Sequence, residues 1–176
     1  MEIRLARADE LAAVGRLTGE VYVGEGYITT GDDYVHDLAD AARRAAEAEL
    51  WVATDDEPSP ESIPGPILGP ILGPVLGTVT FCPEGSTYRE IGRAGEGEFR
   101  MLAVSPEARG RGVGRALVQH CLDRSRELGY AGVRMSTMDT MTSAHRIYQR
   151  LGFTRAVEDD WSPAPGVSLL AYARPL

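Results

Sequence analysis

No lysine occurs anywhere in the chain, so every one of its 18 cationic side chains is an arginine. With the abundance of alanine and glycine, this points to GC-rich codon usage rather than to chemistry. Set against 26 aspartates and glutamates, the cations leave a formal net charge of −8. That balance offers no basic stripe to neutralise phosphates and argues against a nucleic-acid partner, while an acidic surface suits a cationic substrate such as an amine. Cysteine is scarce: Cys82 and Cys121 are too few for a disulfide framework. Cys121 stands in helical line with Val113, Leu117 and Leu128, which predicts a core position. There is no charged-then-apolar leader at Met1 and no apolar run of membrane-spanning length, so the expectation is a cytoplasmic protein away from membranes.

What is present fits one domain over residues 1–176, with 43% hydrophobic and 25% charged residues. Alternation predicts strands at Glu2–Ala6, Trp51–Thr54, Gly77–Phe81, Glu98–Val104, Gly132–Thr137 and Val167–Ala173. Helical spacing predicts helices over Glu10–Val23, Tyr34–Leu50, Gly112–Leu128 and Thr142–Leu151, the last two stopped by Gly129 and Gly152. The first half reads β-α-α-β-β and the second β-α-β-α-β, an α+β chain around a mixed central sheet. Between the second and third strands, three near-identical tetrapeptides run from Gly65 to Leu76 (GPIL, GPIL, GPVL). A proline every fourth residue forbids both a helix and an inner strand. The stretch 57–76 therefore reads as an insertion lengthening that hairpin, either an idle expansion or an apolar arm that packs on a partner subunit.

The chemistry is concentrated in Arg109-Gly110-Arg111-Gly112-Val113-Gly114, which follows a strand and opens a helix. A helix start exposes unpaired N–H groups and the positive end of the dipole, and glycines let that backbone approach a bulky anion, usually a diphosphate. The spacing is neither the dinucleotide fingerprint nor a Walker A loop, since no Gly-Lys-Ser/Thr follows. A nucleotide-binding domain is thereby disfavoured.

The segment Arg109-x-x-Gly112-x-Gly114 resembles the coenzyme A pyrophosphate signature of the GNAT acetyltransferases. Met101 to Pro106 resembles that family's fourth strand and Arg115-Ala116-Leu117 its third helix. Ala144 to Phe153 resembles its A-x-x-x-Tyr-x-x-x-Gly-Phe box. The resemblance is dense from Glu98 to Phe153, while the first half agrees only in element order. It implies a mixed sheet whose strands four and five splay to hold acetyl-CoA, with no metal. The main chain at Leu102, Ala103 and Val104 would pair with the pantetheine arm as an added strand. The amides of Gly110, Arg111, Gly112, Val113, Gly114 and Arg115 would hold the pyrophosphate, with Arg109 and Arg115 adding charge.

Acetyl transfer to an amine needs a base to free the lone pair, a donor for the thioester oxygen and an acid for the departing sulfur. A strand amide near Leu102 or Ala103 fits the donor, and the resemblance assigns the acid to Tyr148. It assigns the base to Glu98; the alternatives are Glu96, two residues earlier on the same strand face, and His145, for the usual pKa of an imidazole, while His36 and His120 have no supporting context. One departure stands out: many members carry asparagine seven residues before the tyrosine, where this chain has Met141, leaving Thr140 or Thr142 to supply a polar group. The expected function is an N-acetyltransferase acting on a small-molecule or peptide amine as monomer or homodimer. The competing expectation is a catalytically silent acyl-CoA-binding regulatory module.

Overall fold

The structure, a computed structural model, describes residues 1–55 and 75–176. The elements run β1 (Glu2–Leu5), α1 (Leu11–Gly24), α2 (Tyr34–Ala39), α3 (Ala41–Glu47), β2 (Glu49–Thr54), β3 (Val75–Cys82), β4 (Glu96–Val104), α4 (Val113–Glu127), β5 (Gly132–Met138), α5 (Thr142–Arg150), β6 (Thr154–Arg155), β7 (Trp161–Ala164) and β8 (Val167–Pro175). Eight strands form one mixed sheet in the order β1-β2-β3-β4-β5-β8-β6, with β7 on β8. Only β4 and β5 are parallel; the other described pairs are antiparallel.

Two apolar layers cover the sheet. On one face Leu117, Val118, Cys121 and Leu122 of α4 meet Val79, Phe81, Phe99 and Val133. On the other, Val21 and Tyr22 of α1 and Leu38 of α2 meet Cys82, Met101 and Ala103. Cys121 is fully buried, but Leu128, expected on the same stripe, is 37% exposed beyond the end of α4.

Three expectations are corrected. The helix predicted over Tyr34–Leu50 is two, because the Asp40 side chain accepts from Arg43 N at 2.9 Å and caps a new helix there. Leu50 then pairs with Thr80 in the sheet rather than closing a helix. The C-terminal region holds two further short strands, β6 and β7, whose few residues carry too little alternation to be read. Third, Val75 and Leu76 belong to β3, where Leu76 is 5% exposed in the core, so the strand begins inside the last tetrapeptide. The rest of the insertion, 57–74, lies outside the described residues.

Among the strands, β4 does most to shape the site. It pairs with β5 only at Glu96↔Gly132, Gly97↔Val133 and Glu98↔Arg134. Beyond that point β4 continues to Val104 and β5 to Met138 without pairing, so the two strands part. β4 also carries a bulge: Thr78 pairs with Ala103 but Thr80 with Arg100, and Met101 sits at φ 53°. One extra residue shifts the in–out alternation by one. Phe99, Leu102 and Val104 consequently pack with the α4 layer, whereas Met101 and Ala103 face α1 and α2.

Candidate active site

The parting of β4 and β5 opens a cavity of about 600 Å³. Phe99 to Leu102 and Val104 form one wall and Met135 to Thr137 the other. The loop before α4 closes one end, and Ala144, Ile147 and Tyr148 of α5 lie along it.

At the loop end, Gly110 and Gly112 have φ 77° and 80°. Among the described residues, a Cβ at either would meet no atom within 4 Å, so glycine is there for the left-handed turn and leaves an open cradle beside the backbone. Gly112 is the N-cap of α4 and offers no side-chain cap, so the first amides of that helix face the cradle without intrahelical acceptors. Gly114 is required for another reason: a Cβ there would stand 3.2 Å from Ile147 Cδ1 and 3.4 Å from Val104 Cγ2, closing the gap between α4, α5 and β4. Open backbone donors and the positive end of a 15-residue helix fit a diphosphate. The unpaired stretch of β4 fits an amide-bearing arm lying along it.

The arginines of this loop differ in their partners. Arg109 pairs with Glu25 at 2.5 Å and Arg111 with Asp55 at 2.6 Å. Arg115 is exposed and lines the cavity, as does Arg109. Of the residues singled out from sequence, Leu102, Val104, Arg109, Gly110, Gly112, Val113, Gly114, Arg115 and Tyr148 line the cavity. Ala103, Arg111 and Glu98 do not. The bulge turns Ala103 to the other face, and the ion pair with Asp55 draws Arg111 outward.

Tyr148 is 3% exposed. It is presented by the closure of α5: Phe153 N donates to Tyr148 O at 3.0 Å and Gly152 N to Gln149 O at 3.0 Å, with Gly152 at φ 81°. This Schellman turn sets the Phe153 ring 6.0 Å from that of Tyr148, and Phe99 stands 5.9 Å from both, so the three rings form one cluster. Burial pushes the Tyr148 hydroxyl pKa well above its ordinary value, so it keeps its proton throughout the neutral range.

Glu98 has a different surrounding. It is fully buried, and its Oε2 accepts from the backbone N–H groups of Glu90, Ile91 and Gly92 at 2.9, 2.9 and 2.8 Å. It pins the loop between β3 and β4. The alternative bases are also engaged: Glu96 Oε2 is 2.5 Å from Arg134 Nε, and His145 Nε2 is 2.9 Å from Met138 O. Met141 is 9% exposed and lines the cavity, and the neighbouring polar group in the lining is Ser143 rather than Thr140 or Thr142.

A second cavity of about 590 Å³ shares Tyr22, Tyr27, Arg100, Met101, Ser136, Thr137 and Met141 with the first. Its further lining comes from the loop before α2, from α2, from Glu90 and from the β7–β8 hairpin. Glu90 has no sequence signal, because it lies in an irregular loop and gains meaning only from its neighbours in space. Among the described residues, no group of three or more His, Cys, Asp or Glu is gathered as for a metal ion. No described helix is long and apolar enough to cross a membrane.

A splayed parallel pair with a glycine cradle at one end and a buried tyrosine along the opening defines an acyl-CoA transferase type of site. The chain belongs to the GNAT acetyltransferases: the family model described as an acetyltransferase (GNAT) domain matches residues 46–155. It is 36% identical over 70 residues to an uncharacterized N-acetyltransferase of Schizosaccharomyces pombe, covering 40% of this chain and 43% of that protein. The chain thus spans less than half the length of that curated relative. A GNAT-family acetyltransferase from Staphylococcus aureus Mu50 superposes with TM-score 0.72 at 16% identity, over 99% of this chain and 98% of the other. A putative acetyltransferase of Salmonella typhimurium, solved with its cofactor acetyl-CoA, superposes with TM-score 0.65 at 19% identity, over 100% and 94%.

Proposed function

We propose that the chain is a single-domain, cytoplasmic N-acetyltransferase that moves an acetyl group from acetyl-CoA directly to the amine of a small molecule or peptide. The observation that carries the reading is the opening between β4 and β5, which runs from the cradle at Gly110 and Gly112 to the hydroxyl-bearing ring of Tyr148. Acetyl-CoA, bound there, supplies an activated acetyl thioester. The amides from Gly110 to Arg115 hold its diphosphate, with Arg109 and Arg115 adding charge. The main chain of Leu102 and Val104 pairs with its arm, and Ala103 contributes through that same strand. An amide at the bulge, near Leu102 or Ala103, polarises the thioester oxygen. Tyr148, kept protonated by its burial, gives its proton to the departing sulfur.

Thermal melting with and without acetyl-CoA tests the cofactor reading, since a ligand bound only by the native state stabilises it by mass action. Acetyl-CoA is expected to raise the melting temperature of the parent and not that of Gly112→Glu, which places bulk and negative charge in the cradle. An unmoved parent, or a folded Gly112→Glu that still responds, overturns the reading.

A further inference from the structure

The second cavity differs from the first in chemistry. Asp32, Asp33, Asp37 and Glu90 line it, against the two cations Arg43 and Arg100. Both cations already have carboxylate partners: Arg43 pairs with Glu47 at 3.0 Å and Arg100 with Glu90 at 2.8 Å. The lining therefore carries a surplus of negative charge. Its remaining walls are aromatic and apolar, with Tyr27, Tyr34, Trp161, Ile28, Met138 and Leu169 among them. Tyr88, 7% exposed, also lines it, and its hydroxyl has no hydrogen-bond partner among the described residues. A buried polar group left unpaired is unfavourable, and here it marks a wall shaped for something besides the protein.

The position of Glu90 is determined twice over. Its backbone N–H is held by Glu98, and its carboxylate by Arg100, which also donates to Tyr88 O at 2.9 Å. Although Glu90 stands in an exposed loop, its side chain keeps only 28% of its surface open. Arg100 and Met101 line both cavities, so the arginine that pairs with Glu90 also faces the opening lined by Tyr148.

We infer that this second cavity receives the acceptor, a cationic primary amine on an apolar body with no carboxylate of its own, and that Glu90 takes the proton from its ammonium group. The inference rests on the acetyltransferase reading of the first cavity. An ammonium N–H bond breaks, its electron pair stays on nitrogen, and the proton goes to the Glu90 carboxylate. Nitrogen then bonds to the acetyl carbon as the carbon–sulfur bond breaks, the sulfur leaving with the electrons and taking the Tyr148 proton. The second nitrogen proton is released as the amide forms and restores Tyr148 through water, and Glu90 returns its own proton to solvent. Glu98 is a positioning residue, acting through the loop it pins. The groups around Glu90 are Arg100 and Glu98 on β4, Tyr34 on α2 and Cys82 on β3. Desolvation in the cavity pushes its carboxyl up to about 6, against the pull of Arg100, which suits a proton acceptor working near neutrality.

The experiment follows thiol release with phenethylamine, spermidine and phenylalanine as acceptors, beside acetyl-CoA melting shifts for each variant. Phenethylamine is expected to be the best acceptor and phenylalanine, with its carboxylate, the poorest. Turnover should rise with pH through about 6, as Glu90 loses its proton. Glu90→Gln should lose that limb and about 10²-fold in turnover while keeping its acetyl-CoA shift. Asp37→Asn should raise KM for the amine with kcat little changed. Glu98→Gln should lower turnover but keep the acid limb. If Glu98→Gln abolishes the limb and Glu90→Gln keeps it, Glu98 is the base and the inference fails. A preference for phenylalanine overturns the acceptor class. Binding of acetyl-CoA with no turnover of any cationic amine overturns the acceptor site alone, whereas absence of acetyl-CoA binding removes the reading beneath it.

Discussion

Tyr148 owes its place to the three residues that follow Arg150: Leu151 ends α5, Gly152 turns left-handed, and Phe153 folds back against the tyrosine ring. Replacing it by phenylalanine removes only the hydroxyl and keeps the ring contacts with Phe99 and Phe153. Turnover is expected to fall by about 10²-fold with acetyl-CoA affinity nearly unchanged, the fraction an acid in this role contributes. Equal turnover in steady-state thiol release would mean that water protonates the sulfur. The tyrosine and the glycine cradle were legible because each sits in a local pattern, a helix closure and a helix start, whose physics is contained in a few consecutive residues. Glu90 was not legible, since what distinguishes it is Glu98, eight residues on, and Arg100, ten on. The side-chain face of Ala103 was not legible for a related reason: counting alternate residues along β4 cannot detect an inserted one, and the bulge at Met101 reverses the parity of everything after it.

Among the elements, α1 and α2 approach most closely at Gly15. A Cβ there would stand 2.1 Å from Ala39 O, a backbone atom that cannot swing aside. Gly19, one turn along the same helix, would meet nothing within 4 Å. Gly15→Ala is therefore expected to destabilise by about 1–3 kcal/mol through overpacking. Gly19→Ala should stabilise by about 0.5–1 kcal/mol, because alanine loses less backbone entropy on entering a helix. Urea unfolding of the two variants beside the parent checks both signs. Equal effects would mean that helix propensity, not contact, governs α1. The break between α2 and α3 belongs to this scale as well. Apolar spacing runs through it uninterrupted, so periodicity predicts one helix, yet the Asp40 carboxylate offers the backbone a cap that competes with continuation.

At the scale of the whole molecule, the sheet was legible where its strands are long. The β-α-β order after Glu98 places β4 and β5 in parallel, with α4 as the crossover between them. The β6–β8 corner was not, because β6 has two residues and β7 four. That corner matters, since Trp161 to Leu169 supplies one side of the second cavity while α2 and the loop before it supply the other. Parts of the chain more than 100 residues apart thus meet around a common space. In hydrogen exchange, coenzyme A is expected to slow the amides between Phe99 and Val104 and those from Gly110 to Arg115. The amides of β2 should remain unchanged, since β1 and β3 already flank that strand. Slowing spread evenly over the sheet would indicate global tightening rather than an arm lying along β4.

The parting of β4 from β5 also gives this sheet two borders in its middle as well as two at its ends. A border strand is a template on which any extended polypeptide can assemble, and proteins ordinarily blunt such strands with charge, proline or a covering segment. Along Met101-Leu102-Ala103-Val104 there is neither charge nor proline, so the guard on this border is the protein around it, α5 and the loop before α4. If the proposed cosubstrate lies along this seam, coenzyme A is expected to slow self-association of the protein on mild heating, read by light scattering, and equal scattering with and without it would mean that the seam is guarded by the protein itself.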